Sequence, residues 1–201
     1  FTGPLYFLYK IVSTINLCKQ LKVEFPDENF VPIYWMATED HDFDEINYFN
    51  FKGQKISWNT ESKSGVGRLS TGGLEHVAKV FEKALNGSKN AQYLIQLFKD
   101  AYISHSNLTD ATRYLTNELF SEYGLVIVDG DDKKLKELFT PFVEEELLNQ
   151  TSFNRVSNTI EKLQKNYNIQ VSPREINLFY LTDKIRDRIV FENDIYKVVD
   201  N

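Results

Sequence analysis

Hydrophobic residues in the first part of the chain follow a helical period. Between Gly3-Pro4 and Lys22, apolar residues recur at steps of three and four, the spacing of one buried helical face: Leu5, Leu8, Val12, Ile15, Cys18 and Leu21. Proline suits the first helical position because its missing N–H needs no partner there. The pattern predicts a helix that begins at Gly3-Pro4 and buries this face.

Two short segments are apolar on both faces, and each is followed abruptly by acidic residues. Residues 30–37 (FVPIYWMA) precede Thr38-Glu39-Asp40-His41-Asp42, and residues 125–128 (LVIV) precede Asp129. Such strands are typical of the centre of a parallel sheet that helices cover on both sides. We therefore predict two buried strands of one open α/β sheet, with loop, helix and strand in the order of a βαβ unit.

Further helices and hairpins are predicted around these two strands. We predict strands at 46–51 and 56–59 with a turn at 52–55, helices at 74–85, 91–104, 108–122, 131–142 and 143–166, and strands at 176–181 and 185–191. The first six residues indicate a loop that enters a helix, so we expect an upstream strand to be missing. The predicted domains are a core at 1–55 and 122–150, incomplete at its N-terminus, a hairpin and helical insertion at 56–121, and a second insertion with a β-hairpin at 151–201.

Composition narrows the class of protein. The 201 residues include 23 Lys or Arg and 29 Asp or Glu, a net charge of −6, and 42% are hydrophobic, which excludes intrinsic disorder. The acidic balance argues against nucleic acid as a partner. No apolar run approaches the roughly 20 residues of a membrane helix, so we expect no membrane partner. A single cysteine, Cys18, excludes an internal disulfide and favours a reducing cytoplasm.

The candidate chemistry lies where the two predicted strands end. Residues 38–45 carry five carboxylates and one imidazole, and residues 129–132 carry three more carboxylates. In open parallel sheets, ligands bind beyond the carboxyl ends of the strands, and a helix N-terminus nearby attracts an anion. The candidate catalytic residues are Glu39, Asp40 and His41. The candidate residues for binding substrate or an anion are Thr2, Gly3, Thr38, Asp42, Arg68 and Asp129.

Several of these residues have structural interpretations that remain open. Asp42, Asp44 and Glu45 can instead favour the positive end of a following helical turn. Asp131 or Asp132 can cap the next helix, which leaves Asp129 as the stronger site candidate of that group.

Two weaker signals concern phosphate and metal. Residues 64–68 (SGVGR) look like a glycine-rich phosphate loop, but they lack a third glycine and do not join a strand to a helix. We interpret them as a mobile loop that carries Arg68 toward an anionic substrate. His41 has no second histidine at metal-ligand spacing, so we predict no metal site.

Several separated segments, in order, resemble the bacillithiol biosynthesis cysteine-adding enzymes (the BshC family). The most specific is residues 35–46 (WMATEDHDFDEI), and the likeness covers nearly the whole chain. The others are Phe1-Thr2-Gly3-Pro4-Leu5-Tyr6, Tyr9-Lys10, Gly67-Arg68, Glu122-Tyr123-Gly124-Leu125-Val126, Asp129 with Asp131-Asp132, and Arg174-Glu175-Ile176-Asn177-Leu178-Phe179.

The resemblance implies a Rossmann-like, nucleotidyltransferase-like core and a C-terminal coiled coil that forms a homodimer in the full-length protein. It implies a ligase that joins cysteine to glucosaminyl malate by an amide bond, the last step to bacillithiol. ATP or ADP is the candidate cofactor, and no metal is expected. Residues 1–4 (FTGP) stand where class I nucleotidyltransferases carry His-x-Gly-His, and neither histidine is present.

Two other functions stay open at this point. One is a metal-dependent phosphohydrolase that uses His41 and the adjoining aspartates. The other is an interaction module, without catalysis, whose acidic edge binds a basic partner.

Overall fold

The computed structural model describes residues 5–62, 64–85 and 87–199. The chain divides into two compact units, Phe1–Asp131 and Asp132–Asn201. The boundary between the units falls inside the segment 122–150, which we assigned to the core. The predicted division into one core and two insertions stays a prediction. In the part of the chain that the structure describes, no helix is both long and apolar enough to cross a membrane.

The first unit is mixed α/β. Its helices and strands, in order, are α1 Tyr6–Glu24, β1 Ile33–Trp35, β2 Tyr48–Phe51, β3 Gln54–Ser57, α2 Leu74–Ala84, α3 Lys89–Tyr102, α4 Leu108–Phe120 and β4 Val126–Val128. Short 3₁₀ turns lie at Phe43–Glu45, Val66–Arg68 and Ser121–Tyr123. The three helices predicted between 74 and 122 are confirmed within about two residues at most ends.

Strands β1 and β4 form a parallel pair, as the sequence predicts. Ile33 pairs with Val126 and Trp35 pairs with Val128. The prediction that both faces of these strands are buried is wrong, because Ile33 is 56% exposed and Trp35 is 58% exposed. The described helices cover only the face that carries Tyr34 and Ile127, which pack against a cluster led by Phe7 of α1.

The stripe that α1 buries agrees with the prediction only in part. Ile15 is buried as predicted, but Phe7 and Ile11 are buried instead of Leu5, which is 66% exposed, and of Leu8 and Val12, which are also exposed. Both stripes follow the helical period, and α1 is apolar around much of its circumference, so periodicity alone could not choose between them. The predicted start at Gly3-Pro4 lies outside the described residues.

The second hydrophobic cluster of this unit lies beneath the β2–β3 hairpin. Trp58, Val66, Leu74 and Leu108 are among its buried members. The predicted hairpin is confirmed as an antiparallel pair, with strand bounds about two residues from those expected. Its turn is Lys52-Gly53, and both residues have positive φ (49° and 77°), which matches the right-handed twist of the flanking strands.

The second unit contains three helices followed by an antiparallel sheet. Its elements are α5 Lys133–Leu138, α6 Thr140–Asn149, α7 Thr151–Leu163, β5 Phe179–Leu181, β6 Arg186–Glu192 and β7 Ile195–Val199. The predicted hairpin is present as β5–β6, but the prediction missed β7. Asn193 and Asp194 both adopt positive φ, so a tight turn separates β6 from β7 within a continuous run of strand-forming residues.

Glu146 of α6 is the buried charged residue of the second unit, with 7% of its surface exposed. It accepts hydrogen bonds from the backbone N–H groups of Ser152, at 2.8 Å, and Asn177, at 3.1 Å. Burial by itself would raise the pKa of Glu146, but these hydrogen bonds outweigh it, and the pKa lies below its ordinary value of 4.5. This side chain therefore joins α6 to two later segments.

Candidate functional site

The parallel pairing brings the carboxyl ends of β1 and β4 to one edge. The Met36 N–H extends the ladder by donating to the Val128 carbonyl at 2.9 Å. Ala37 then adopts a left-handed conformation (φ 48°), which is uncommon for a residue with a Cβ and turns the chain sharply after the strand. As a result, Thr38 reaches the residues that follow β4.

Thr38 joins the two strand ends through its hydroxyl. The side chain is fully buried, at 0% exposure. Its Oγ1 donates to Asp129 Oδ1 and accepts from the Asp131 N–H at 3.2 Å, while that N–H also lies 2.9 Å from Asp129 Oδ1. Thr38 and Asp129, which we predicted to bind substrate, thus already contact each other and stabilise the shape of this edge.

The segment SGVGR, which only resembles a glycine-rich phosphate loop, packs directly on the end of β1. The N–H of Gly67 donates to the Thr38 carbonyl at 2.9 Å, and the N–H of Val66 donates to the Asp40 carbonyl at 2.7 Å. A Cβ at Gly67 would lie 2.5 Å from Thr38 Cβ and 2.5 Å from Thr109 Oγ1. These two amides therefore bind backbone, and the glycine permits a close approach rather than a phosphate cradle.

Two arginines lie beside the carboxylates that follow β4. Arg68 contacts Asp131 with two nitrogens, Nε at 2.5 Å and Nη2 at 3.1 Å, which is the bidentate geometry of a strong ion pair. Arg113 of α4 donates from Nη1 to the Ile127 carbonyl at 3.2 Å, and its Nη2 lies 3.8 Å from Asp129 Oδ2. The edge thus combines fixed charges of both signs.

The predicted catalytic residues Asp40 and His41 lie on the outer side of this edge. His41 Nδ1 is 3.4 Å from Asp40 Oδ1, and His41 Nε2 is 3.7 Å from Asp42 Oδ1. The side chain of His41 is 50% exposed, so it can exchange protons with a ligand or with solvent. An imidazole flanked by two carboxylates is a plausible general base.

The same three side chains are the group among the described residues that could hold a metal ion. One ligand atom from each of Asp40, His41 and Asp42 lies within 4.8 Å of the others. One nitrogen and two oxygens suit a divalent cation, although exposed acidic groups of this kind are common without one. The expectation of no metal stays a prediction.

Glu39 lies between the outer residues and the sheet. The Trp35 indole N–H donates to Glu39 Oε1 at 3.3 Å. Glu39 Oε2 is buried and accepts no hydrogen bond among the described residues. A Cβ at Gly130 would lie 2.6 Å from this oxygen, so the glycine permits Glu39 to approach the loop after β4.

The structure thus brings most of the predicted residues together. Arg68 lies at the site but in an ion pair with Asp131, and Asp132 caps α5 by accepting from the N–H groups of Lys134 and Leu135. Asp44 and Glu45 lie in the 3₁₀ turn, as their structural interpretation expects. Thr2 and Gly3 lie outside the described residues.

Sequence reasoning missed several residues that shape the site: Trp35, Gly65, Gly67, Arg113 and Gly130. The Gly-x-Gly spacing beside Arg68 was the signal for the loop. Arg113 gave no signal, because an arginine in an amphipathic helix normally faces solvent.

A parallel strand pair with helices, and with charged residues gathered at its carboxyl ends, is typical of an α/β protein of the Rossmann-like class. The family model described as "Bacillithiol biosynthesis BshC, N-terminal Rossmann-like domain" matches residues 1–201. The chain therefore belongs to the BshC family, as the sequence resemblance indicates.

Individual relatives agree with this assignment, and each carries the name "Putative cysteine ligase BshC". The chain is 63% identical to the protein of Flavobacterium psychrophilum over 98% of its own length, and 54% identical to that of Christiangramia forsetii over 98%. Against the protein of Staphylococcus saprophyticus it is 29% identical over 96%. The chain spans only 37%, 38% and 38% of these relatives, so it corresponds to part of their length.

Proposed function

We propose that the full polypeptide containing this chain is a ligase of bacillithiol biosynthesis, which joins cysteine to glucosaminyl malate in the last step. Membership of the BshC family supports the pathway, and the printed name of the relatives supports a cysteine ligase. The observation that supports extending the proposal to particular residues is the contact between Thr38 and Asp129. Residues 39–42 follow Thr38 directly, and ligands of parallel sheets bind beyond the carboxyl ends of the strands.

The proposed reaction forms one C–N bond. An oxygen of the cysteine carboxylate first attacks a nucleoside triphosphate. Transfer of a phosphoryl group releases the nucleoside diphosphate, and transfer of an adenylyl group releases pyrophosphate. The amine of glucosaminyl malate then attacks the activated carbonyl, the bond to the phosphate or nucleotide breaks, and that group leaves with the bonding electrons. The attacking nitrogen loses a proton, and His41 or the adjoining Asp40 accepts it.

The remaining assignments of the proposal concern the whole protein. We expect nucleotide binding, a homodimer formed through a coiled coil, and a cytoplasmic location where cysteine stays reduced. Glu39 is proposed as a catalytic carboxylate beside Asp40 and His41. Asp42 and Arg68 are proposed to bind the charged groups of the substrates, with Thr2 and Gly3 as a further anion site.

The pathway is tested by a thiol profile of cells that lack the full-length gene. We expect loss of bacillithiol and accumulation of glucosaminyl malate. Normal bacillithiol in the deletion strain would contradict the proposed function.

The role of His41 is tested by returning the full-length gene with His41→Ala to that strain. We expect bacillithiol to fall at least tenfold, because general acid–base catalysis contributes roughly 10²–10⁴-fold. His76→Ala is the matched control, since His76 is exposed on α2. Bacillithiol restored equally by both variants would remove His41 from the mechanism.

A second candidate function is a metal-dependent phosphohydrolase, which the cluster of Asp40, His41 and Asp42 favours. Metal analysis of the purified full-length protein separates the two. Stoichiometric Mn, Fe or Zn that is lost in His41→Ala would support the hydrolase, and release of phosphate from candidate esters would then be measured.

A different pair of substitutions distinguishes the interaction module from the ligase. Glu39→Gln with Asp40→Asn should weaken the binding of a basic partner and leave the thiol profile unchanged if the acidic edge only binds protein.

A further inference from the structure

One face of α4 presents a row of polar side chains to a groove. Asp110, Arg113, Tyr114 and Asn117 are spaced i, i+3, i+4 and i+7, so they share one side of the helix. The opposite side is buried through Ala111, Thr112 and Thr116. The polar row therefore belongs to the outer face of α4, where a surface helix normally carries solvated residues.

The surroundings of this row distinguish it from an ordinary solvated face. Leu125 and Ile127, before and within β4, line the same groove, together with His105. The groove has a volume of about 450 Å³, within the 300–1,000 Å³ range of small-molecule sites. Leu125 and Ile127 supply the apolar part of its lining, and the other lining residues carry charged or polar groups, which favours a charged ligand.

Arg113 connects the groove to the candidate site. Its Nη1 donates to the Ile127 carbonyl, and its Nη2 lies 3.8 Å from Asp129 Oδ2. A guanidinium has five N–H donors, so Arg113 has further donors for a carboxylate while these two contacts fix its orientation. A ligand carboxylate on Arg113 would lie close to the residues that follow β4.

The far end of the groove favours a cation. Asp110 Oδ2 accepts from Asn107 Nδ2 at 2.8 Å, which holds the carboxylate in one orientation. This carboxylate supplies the negative charge that an ammonium group would meet at this place in the groove.

His105 also lines the groove. Its Nδ1 lies 3.0 Å from the Asp100 carbonyl and 2.9 Å from the Ala101 carbonyl, so Nδ1 is assigned as the N–H donor. In the neutral imidazole, Nε2 is then the acceptor. The ring also packs against Tyr114, with centroids 5.1 Å apart.

We propose that this groove binds the zwitterion of an α-amino acid, with its carboxylate on Arg113 and its ammonium on Asp110. Asp110 and Arg113 are neighbours at i and i+3 on one helix face, so two opposite charges line the same groove. The inference rests on the proposed function for the identity of the ligand, which is then cysteine, and assigns it to residues outside the acidic segment 39–42.

The test is calorimetric titration of the full-length protein, under reducing conditions, with four ligands. L-cysteine and its isostere L-serine carry both charges, cysteamine lacks the carboxylate, and 3-mercaptopropionate lacks the ammonium. We expect the two zwitterions to bind, and the two single-charge analogues to bind at least tenfold more weakly. Equal affinity for cysteine and cysteamine would overturn the proposal.

Substitutions at Arg113 and Asp110 test which charged group of the ligand each residue binds. Arg113→Gln should weaken L-cysteine at least tenfold and leave cysteamine unchanged, since cysteamine has no carboxylate to lose. Asp110→Asn should weaken L-cysteine and leave 3-mercaptopropionate unchanged. If Arg113→Gln weakens both ligands equally, the residue acts through Asp129 or the fold, and the proposal is wrong. Lys79→Gln and Glu122→Gln, both at exposed positions outside the groove, are the controls.

The outcomes also separate this inference from the proposed function. If the deletion strain loses bacillithiol but Arg113→Gln leaves cysteine binding unchanged, the groove proposal is wrong and the ligase proposal is supported. If zwitterion binding requires Arg113 and Asp110 but the deletion strain has a normal thiol profile, the groove proposal is supported and the ligase proposal is wrong.

Discussion

Thr38 in the first unit and Glu146 in the second are both buried polar side chains that bind the backbone of distant segments. Thr38 accepts from the Asp131 N–H, and Glu146 accepts from the N–H groups of Ser152 and Asn177. They differ in what lies beside them. Thr38 stands at the carboxyl end of parallel strands, three residues before a half-exposed histidine, whereas Glu146 lies within a helix of a purely structural junction.

This difference separates two uses of a buried polar side chain. Thr38 and Glu146 both accept hydrogen bonds from backbone N–H groups, which removes the free-energy cost of leaving those groups unpaired. At Thr38, the same hydrogen bonds also fix the position from which Asp40 and His41 face solvent. The variants below measure how rigidly each region is held, in order of expected effect.

The largest effect is expected for Gly67→Ala. The added Cβ would lie 2.5 Å from Thr38 Cβ and 2.9 Å from Thr38 Cγ2, so the loop or the end of β1 must move. We expect the free energy of unfolding to fall by about 3 kcal/mol, the upper end of overpacking costs. Urea unfolding measures it.

Gly87→Ala is the control for this change, because a Cβ there has nothing within 4 Å and the φ angle is not positive. Similar unfolding midpoints for the two variants would show that residues 65–67 do not pack against Thr38.

Thr38→Val should have the next largest effect. The substitution keeps the shape but removes the hydroxyl, so Asp129 Oδ1 loses one of its two donors and keeps the Asp131 N–H. We expect a loss of about 2 kcal/mol, typical of a broken buried hydrogen bond to a charged group. Hydrogen exchange of the Asp131 amide should become modestly faster, since it loses the acceptor Oγ1 and keeps Asp129 Oδ1.

Thr38→Ser keeps the hydroxyl and should restore most of the protection of the Asp131 amide. If Thr38→Ser is destabilised and Thr38→Val is not, the methyl contact with Gly67 matters and the hydroxyl does not.

Glu146→Gln tests the second unit through pH. The pKa of Glu146 is lowered in the folded protein, so its ionised form contributes stability that is present above pH 4.5 and lost as the pH falls through the folded pKa. We expect the variant to be less stable by about 1 kcal/mol at pH 7, with a difference that shrinks toward pH 3.

The measurement is urea unfolding at several pH values, with hydrogen exchange of the Ser152 and Asn177 amides. Glu144→Gln is the control, because Glu144 is exposed on the same helix. A stability difference that grows as the pH falls would contradict the assignment.

His41→Ala should have the smallest effect on stability. The side chain is half exposed, and surface substitutions usually change stability by less than about 0.5 kcal/mol. A larger loss in urea unfolding would show that His41 holds the site together, and any loss of bacillithiol in this variant would then have a structural cause.

Much of the fold follows from local sequence patterns. The helices between 74 and 122, the hairpin turn at Lys52-Gly53 and the cap at Asp132 depend on residues close along the chain, and each was predicted. Burial was predicted less well. Which stripe of α1 is buried, and which face of β1 is exposed, depends on the segments that pack against each element. Neither can be predicted from the hydrophobic period of the segment itself.

The sequence by itself determined that two apolar strands end in acidic residues, and parallel pairing then required those ends to meet, because parallel strands share the direction of their carboxyl ends. Only the tertiary structure decided that Gly67 packs on Thr38, that Arg68 binds Asp131 and that Arg113 turns toward Asp129. These contacts join residues 16 to 63 positions apart in sequence. Close packing between such distant segments produces no periodic pattern in the sequence. The residue types at the candidate site could therefore be predicted from the sequence, but their contacts could not.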